Sequence, residues 1–158
     1  MIILGLDPGT ATTGFGIIKK IDNEFEILDF GCIETKAKLP LEDRLLQISN
    51  DLESLIKKYK PDVAGIEEIF FTNNIKTAIS VSHARGVLLY ILKKHKVPIK
   101  HFTPTEIKSS ITGYGKADKH QVQKMIQIIL NLSEIPKPDD AADALAIAIA
   151  SSNNLAVL

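Results

Sequence analysis

The apolar run Ile2-Ile3-Leu4-Gly5-Leu6 leads into Asp7, and two more β-rich stretches, Gly14–Lys20 and Glu24–Glu34, follow before any helical periodicity begins. Asp22-Asn23 separates the second stretch from the third as a turn signal, so the chain opens with three consecutive strands. The pattern then changes. Leu41, Leu45, Ile48, Leu52, Leu55 and Ile56 recur at helical spacing from Pro40 to Tyr59, and Pro61-Asp62 stops the run. Val63–Glu67 reads as a short strand that is apolar on both faces, Ile75 to Lys94 as a long helix and Ile99–Phe102 as a fifth strand. Pro104 starts a short helix, the loop Thr112-Gly113-Tyr114-Gly115-Lys116 follows, and Lys119–Leu130 is helical. After the break at Pro136 and Pro138, Asp139 or Asp140 opens an Ala-rich helix to about Ser151. Three strands followed by alternating helix and strand predict one α/β domain over residues 1–158, a mixed five-stranded sheet flanked by helices.

In such a sheet, sites gather beyond the carboxyl ends of the parallel strands, where Asp7 and Glu67 both lie. Asp140 and Asp143 are three apart on a helix and share one face, so they can aim together at those ends. Acids in a first helical turn also complement the helix dipole and cap free amides, but Asp139 is available for that work. Four carboxylates brought together repel one another, and a bound cation or a shared proton is what makes the arrangement tolerable. The set therefore reads as a divalent-metal phosphodiesterase site. Glu68 competes with Glu67 at this stage, because neighbours in a strand point to opposite faces and the hydrophobic pattern does not say which face meets Asp7.

Net charge is zero, with 19 basic and 19 acidic residues, but the charges are unevenly placed. Residues 1–79 carry 9 basic and 13 acidic side chains, and residues 80–158 carry 10 and 6. The segment from Arg85 to Lys124 holds 9 Lys or Arg against Glu106 and Asp118 alone, with His95, His101 and His120 added. It is a candidate phosphate-binding face, with solvated helix faces as the plainer explanation. Only Arg44 and Arg85 are arginine, which favours backbone contact through lysine charges over bidentate base reading. Cys32 is the single cysteine, which leaves no internal disulfide and no zinc cluster and reads as a small apolar residue near a strand. No apolar run reaches the ~18 residues of a membrane span, and no signal-type leader opens the chain, so the expectation is a soluble cytoplasmic protein.

The opening ILGLDPGTATTGFGII, the middle GIEEIFF with HARGV downstream, the region IKSSITGYGKADKHQVQKM and the closing DDAADALAIAIA occur in the order found in one family. The chain resembles the RuvC Holliday junction resolvases, crossover junction endodeoxyribonucleases with a ribonuclease H-like fold, over nearly its whole length. The resemblance implies that Asp7, Glu67, Asp140 and Asp143 are the catalytic metal-binding acids, and the choice of Glu67 over Glu68 rests mainly on it. It also implies that Lys108 and Lys119 stand at the active-site edge, with Lys116 and His120 as weaker neighbours. Phe70 matches an aromatic that meets unstacked bases near the exchange point. Arg85 is left without a role.

Such a site suits Mg²⁺, which prefers octahedral oxygen ligands at roughly 2.0–2.1 Å, with Mn²⁺ as a substitute. Two ions about 3.5–4 Å apart would serve an in-line displacement that leaves a 3′ hydroxyl and a 5′ phosphate. Resolving a four-way junction in recombination and repair requires two opposed cuts, which a twofold homodimer supplies. The Ile75–Lys94 helix, apolar on more than one stripe, is the candidate partner surface. The RuvA and RuvB branch-migration proteins are further partners implied by the resemblance. Three rival readings remain. An actin-like or sugar-kinase ATPase shares an Asp-Pro-Gly-Thr-like phosphate loop but needs a second half that 158 residues cannot hold. A YqgF-like ribonuclease acting on RNA shares the fold class, and the DAADALA ending and GIEEIFF segment weigh against it. A non-enzymatic junction-binding module would have no use for all four acids.

Overall fold

The computed structural model describes residues 1–69 and 75–153. Its elements in chain order are β1 (Ile2–Asp7), β2 (Thr12–Ile21), β3 (Glu24–Glu34), α1 (Leu41–Tyr59), β4 (Val63–Glu67), α2 (Ile75–Lys94), β5 (Ile99–Phe102), α3 (Pro104–Thr112), α4 (Lys119–Ile129) and α5 (Asp139–Asn153). The expected order is present. β1 extends through Asp7 and β2 begins at Thr12, because Asp7 pairs with Gly14 and Thr12 with Glu34, so the ladder outlasts the hydrophobic run that announced it. α4 is a residue shorter than expected, with Leu130 as its C-cap.

The strands form one sheet in the order β3-β2-β1-β4-β5. The first three are antiparallel neighbours, and β1, β4 and β5 run parallel. This mixed sheet brings the carboxyl ends of β1 and β4 side by side, with Leu6 opposite Ile66.

Alternation along the central strands divides the core in two. Leu4 and Leu6 of β1 and Ala64 and Ile66 of β4 face α1 and α2, packing with Ile48, Leu52, Leu88 and Leu92. Ile3 and Val63 face the other way, toward α3, α4 and α5, with Ile107, Ile126 and Leu145. β1 and β4 are thus covered on both faces, which explains their lack of polar alternation.

α5 lies unusually close to the sheet, and glycines make that approach possible. A Cβ on Gly5 would run into the Ala144 carbonyl oxygen, one on Gly14 into the Asp140 carbonyl oxygen, and one on Gly65 into the Ser151 hydroxyl. The helix itself offers Ala141, Ala142, Ala144, Ala146, Ala148 and Ala150, all essentially buried, so backbone meets backbone. At its far end Lys100 Nζ donates to the Ser151 carbonyl at 3.0 Å and Lys20 Nζ to the Ser152 carbonyl at 3.3 Å. Cations at a helix carboxyl end complement its dipole, as the acids do at its start.

α3 and α4 are set by capping boxes. Thr103 accepts from the Glu106 amide while Glu106 accepts from the Thr103 amide, and Asp118 and Gln121 repeat the exchange. These boxes fix where Lys108 and Lys119 leave the backbone. No described helix is long and apolar enough to cross a membrane.

Candidate active site

Gly5 and Gly65 meet α5, and two residues farther along each strand stand Asp7 and Glu67. By strand alternation both carboxylates therefore emerge on the α5 side of the sheet. The same alternation sends Glu68 to the other face. Glu67 lines a cavity of about 310 Å³ together with Asp7, Lys108, Lys119 and Asp143. Glu68 lines a different cavity, with Ser82, Arg85 and Leu89.

From the opposite wall, the N-terminal end of α5 supplies Asp140, in its first turn, and Asp143, three residues on. Carboxylate oxygens of Asp7, Asp140 and Asp143 all lie within 4.8 Å of one another. Glu67 joins them across the cavity rather than inside that triplet, and the Asp143 charge reaches it. The cluster is electrostatically strained. Burial first, then the charges of Glu67, Asp143 and Asp140, push the Asp7 carboxyl up to about 8. Glu67 and Asp143 are also raised, burial again leading. An all-carboxylate donor set that resists ionising together is suited to a hard divalent cation with oxygen ligands, and Mg²⁺, Mn²⁺ and Ca²⁺ are of that kind.

Lys119, just inside α4, supplies the nearest positive charge. Its ammonium stands 3.0 Å from Asp139 and 3.6 Å from Asp143. Lys108 of α3 lines the same cavity and counteracts the rise at Glu67. Asp139 is not the expected cap. It is the first residue of α5, and its carboxylate accepts from Lys119 and, at 3.2 Å, from Gln123 Nε2. The first-turn amides of Ala141 and Ala142 are satisfied instead by the Pro138 carbonyl, at 3.1 Å each.

The basic segment does not form one face. Lys94 and His95 reach Glu53 of α1, at 2.6 and 3.1 Å, and hold its carboxyl at about 2. Lys100 is tied to α5. Sequence proximity grouped these cations, whereas the turn from α2 into β5 sends them to separate surfaces. Lys116 is exposed and does not line the cavity. Phe70 lies outside the described residues. Cys32 is half-buried in β3, its thiol pushed up by burial and then by the Asp140 charge.

Two supports were not foreseen from the chain. The turn after Asp7 is held by hydroxyls: Thr13 Oγ1 donates to the Gly9 carbonyl at 2.6 Å, Thr35 Oγ1 to the Thr10 carbonyl at 2.6 Å, and Thr10 Oγ1 to the Ser80 carbonyl at 2.5 Å. Arg85 Nε donates to the Glu67 carbonyl at 3.0 Å, and its Nη2 lies 2.8 Å from His101 Nδ1. The HARGV stretch was the available sequence signal for Arg85. Nothing local marks the threonines.

Known proteins share both the sequence and the arrangement. Residues 3–151 match the family model described as crossover junction endodeoxyribonuclease RuvC. The RuvC protein of Ruminiclostridium cellulolyticum is 51% identical over 154 residues, covering 98% of this chain and 93% of the relative. That of Caldicellulosiruptor saccharolyticus is 52% identical over 150 residues, covering 94% and 90%. The structure of Thermus thermophilus RuvC in complex with a Holliday junction substrate superposes with a TM-score of 0.91 at 30% identity, over 96% of this chain and 93% of that one. The yeast mitochondrial resolvase Ydc2, at 17% identity and a TM-score of 0.67, shares the fold. The mixed five-stranded sheet with its acid-bearing strand ends and closing helix is accordingly ribonuclease H-like, and the chain belongs to the RuvC family of crossover junction endodeoxyribonucleases.

Proposed function

We propose that this protein resolves Holliday junctions, cutting two opposed strands of four-way DNA in recombination and repair. One observation carries the reading: three carboxylates converge from β1 and the start of α5, with Glu67 across a lysine-edged cavity, in a chain about half identical to RuvC proteins. No comparable feature favours a YqgF-like enzyme acting on RNA, whereas a solved structural relative at 30% identity is a RuvC bound to a Holliday junction.

Asp7, Asp140 and Asp143 would hold the divalent metal, Mg²⁺ in the cell, and Glu67 would complete the ligand set. The metal supplies a lowered pKa for the attacking water and charge neutralisation at the scissile phosphate. The remaining work belongs to the chain. Lys108 and Lys119 approach the cavity from α3 and α4, where an ammonium holds a phosphate oxygen and offsets the negative charge that grows during displacement. Lys119 is anchored at the cavity edge by Asp139 at 3.0 Å and Asp143 at 3.6 Å. The leaving group is the 3′ oxygen, so the ends are a 3′ hydroxyl and a 5′ phosphate. Residues 1–158 act as one nuclease domain in the cytoplasm. Phe70, following the Glu67 strand, meets unstacked bases, and Lys116 adds a backbone contact.

Two equivalent cuts require two chains. Ile75, Ile79 and Tyr90 of α2 are exposed, at 66%, 51% and 66%, while Ala84, Leu88 and Leu92 on the same helix are buried against the sheet. The exposed residues form the face for a second copy in a twofold dimer. RuvA and RuvB deliver the junction.

A synthetic junction with a mobile core, labelled on each strand in turn, tests this reading. Paired nicks should form at equivalent positions in two opposing strands, only with Mg²⁺ or Mn²⁺, and DNA ligase should seal them without end repair. Linear duplex of the same sequence should be a poor substrate. Efficient cutting of RNA or RNA–DNA hybrid with the junction left intact would overturn the reading in favour of the ribonuclease.

A further inference from the structure

Arg85 occupies a place that the catalytic scheme does not use. It rises from the middle of α2, half-buried, on the side of the sheet opposite the acid cavity. Nε donates to the main-chain carbonyl of Glu67 at 3.0 Å, and Nη2 lies 2.8 Å from His101 Nδ1 on β5. Because an arginine only donates, His101 accepts through Nδ1 in this contact. One guanidinium thus ties three elements together at the carboxyl end of β4.

The bonded atom matters more than the number of bonds. β4 ends at Glu67, where the ladder to β1 has already stopped at Leu6–Ile66 and the remaining partner is β5, through Glu67 opposite Phe102. The Glu68 amide donates to the Phe102 carbonyl at 2.8 Å, so β5 holds the backbone on one edge. The Glu67 carbonyl lies past the end of the β1–β4 ladder, and Arg85 supplies its donor. The rotation of this peptide sets which face the Glu67 side chain leaves from, since successive residues alternate. Arg85 cannot touch the metal cavity itself, because it lines the separate cavity that Glu68 faces.

We propose that Arg85 is a positioning residue for the metal site: by clamping the Glu67 carbonyl against β5 through His101, it holds the Glu67 carboxylate in the acid cavity. The proposal rests on Glu67 being a metal ligand. Groups that orient a metal ligand from behind commonly change metal affinity by about 10- to 100-fold when removed. A donor to the main chain acts less directly than one to the carboxylate, so the low end of that range applies.

Calorimetric titration of Mn²⁺ into the full-length, DNA-free protein reads this without relying on cleavage. Arg85→Met keeps the length of the side chain and removes every donor, and it should weaken Mn²⁺ binding about tenfold. Arg85→Lys, able to reach one acceptor, should recover part of the loss. In a Glu67→Gln background Arg85→Met should add nothing further, since the carboxylate it positions is gone. The Mg²⁺ concentration for half-maximal junction cleavage should rise in Arg85→Met, with a smaller fall in rate at saturating metal.

Unchanged Mn²⁺ affinity in Arg85→Met would overturn the proposal, and if junction binding in Ca²⁺ weakened at the same time, Arg85 would be a DNA contact instead. A loss that adds fully to that of Glu67→Gln, accompanied by a lower melting temperature, would reduce Arg85 to a general structural tie and overturn it equally. Wild-type Mn²⁺ affinity in Glu67→Gln alone would be a different failure, removing Glu67 from the ligand set and the ground of the proposal with it.

Discussion

Replacing Asp7 by Asn should make the metal-free protein more stable while abolishing its cleavage activity. Burial and three neighbouring acids hold the Asp7 carboxyl at about 8 in the folded protein, against an ordinary 3.8. Between those values the folded chain keeps a proton that the unfolded chain has released. Stability is therefore full near the unfolded value and is lost as pH rises toward 8. At ~1.4 kcal/mol per pH unit, the stretch from 3.8 to 7 would cost ~4 kcal/mol at pH 7. Water entering the open cavity screens part of this, leaving on the order of 2 kcal/mol that an uncharged amide escapes. For a chain of this size that corresponds to a melting temperature roughly 4–8 °C higher in Asp7→Asn. Scanning calorimetry in chelator, from pH 5 to 8, should show the wild type falling with pH and the variant falling less steeply. Its slope should not vanish, because Glu67 and Asp143 are raised as well. Added Mg²⁺ should then stabilise the wild type and do much less for the variant, since a cation that binds only the folded, ionised cluster shifts the equilibrium by mass action. A variant melting at or below the wild type at pH 8 in chelator would refute the reasoning, as would a wild type whose melting temperature ignores pH over that window.

Glu67→Gln, Asp140→Asn and Asp143→Asn should each remove cleavage in Mg²⁺ yet leave junction binding in Ca²⁺ largely intact, because less negative charge beside DNA does not weaken electrostatic attachment; gel-shift and cleavage assays on the same junction separate the two. Lys108→Ala and Lys119→Ala should slow cleavage and flatten the salt dependence of binding by about one charge each. Lys119→Ala should in addition steepen the loss of stability with pH in chelator, since Lys119 lowers both Asp7 and Asp143. Gly14→Ala should lower stability by ~1–3 kcal/mol and cut activity further than that loss explains, because the new methyl meets the Asp140 carbonyl and pushes the start of α5 away from Asp7.

Most of the architecture was legible along the chain because its signals are local. Apolar runs bounded by Asp22-Asn23 and Pro61-Asp62, and the helical recurrence from Leu41 to Ile56, each state a period within a few residues, and the elements appear where those periods run. Asp7 and Glu67 could be singled out because a carboxylate ending a parallel strand has a predictable place in such a sheet, and Asp140 and Asp143 because three residues on a helix share a face. Tertiary structure alone decided what depends on two distant segments touching. Glu67 rather than Glu68 faces the acid cavity because Gly65, two residues earlier, meets α5, and no pattern within β4 reveals which of its two apolar faces that helix covers. Lys119 reaches the acids whereas Lys94 and His95 turn away to Glu53, although all three belong to one basic stretch. Arg85 has no role legible along the chain until α2 is laid beside the end of β4, where its guanidinium finds the Glu67 carbonyl. A sequence shows which groups a chain carries and the period on which it carries them; the charge, proton affinity and partner of each are set by what the fold brings within a few ångströms.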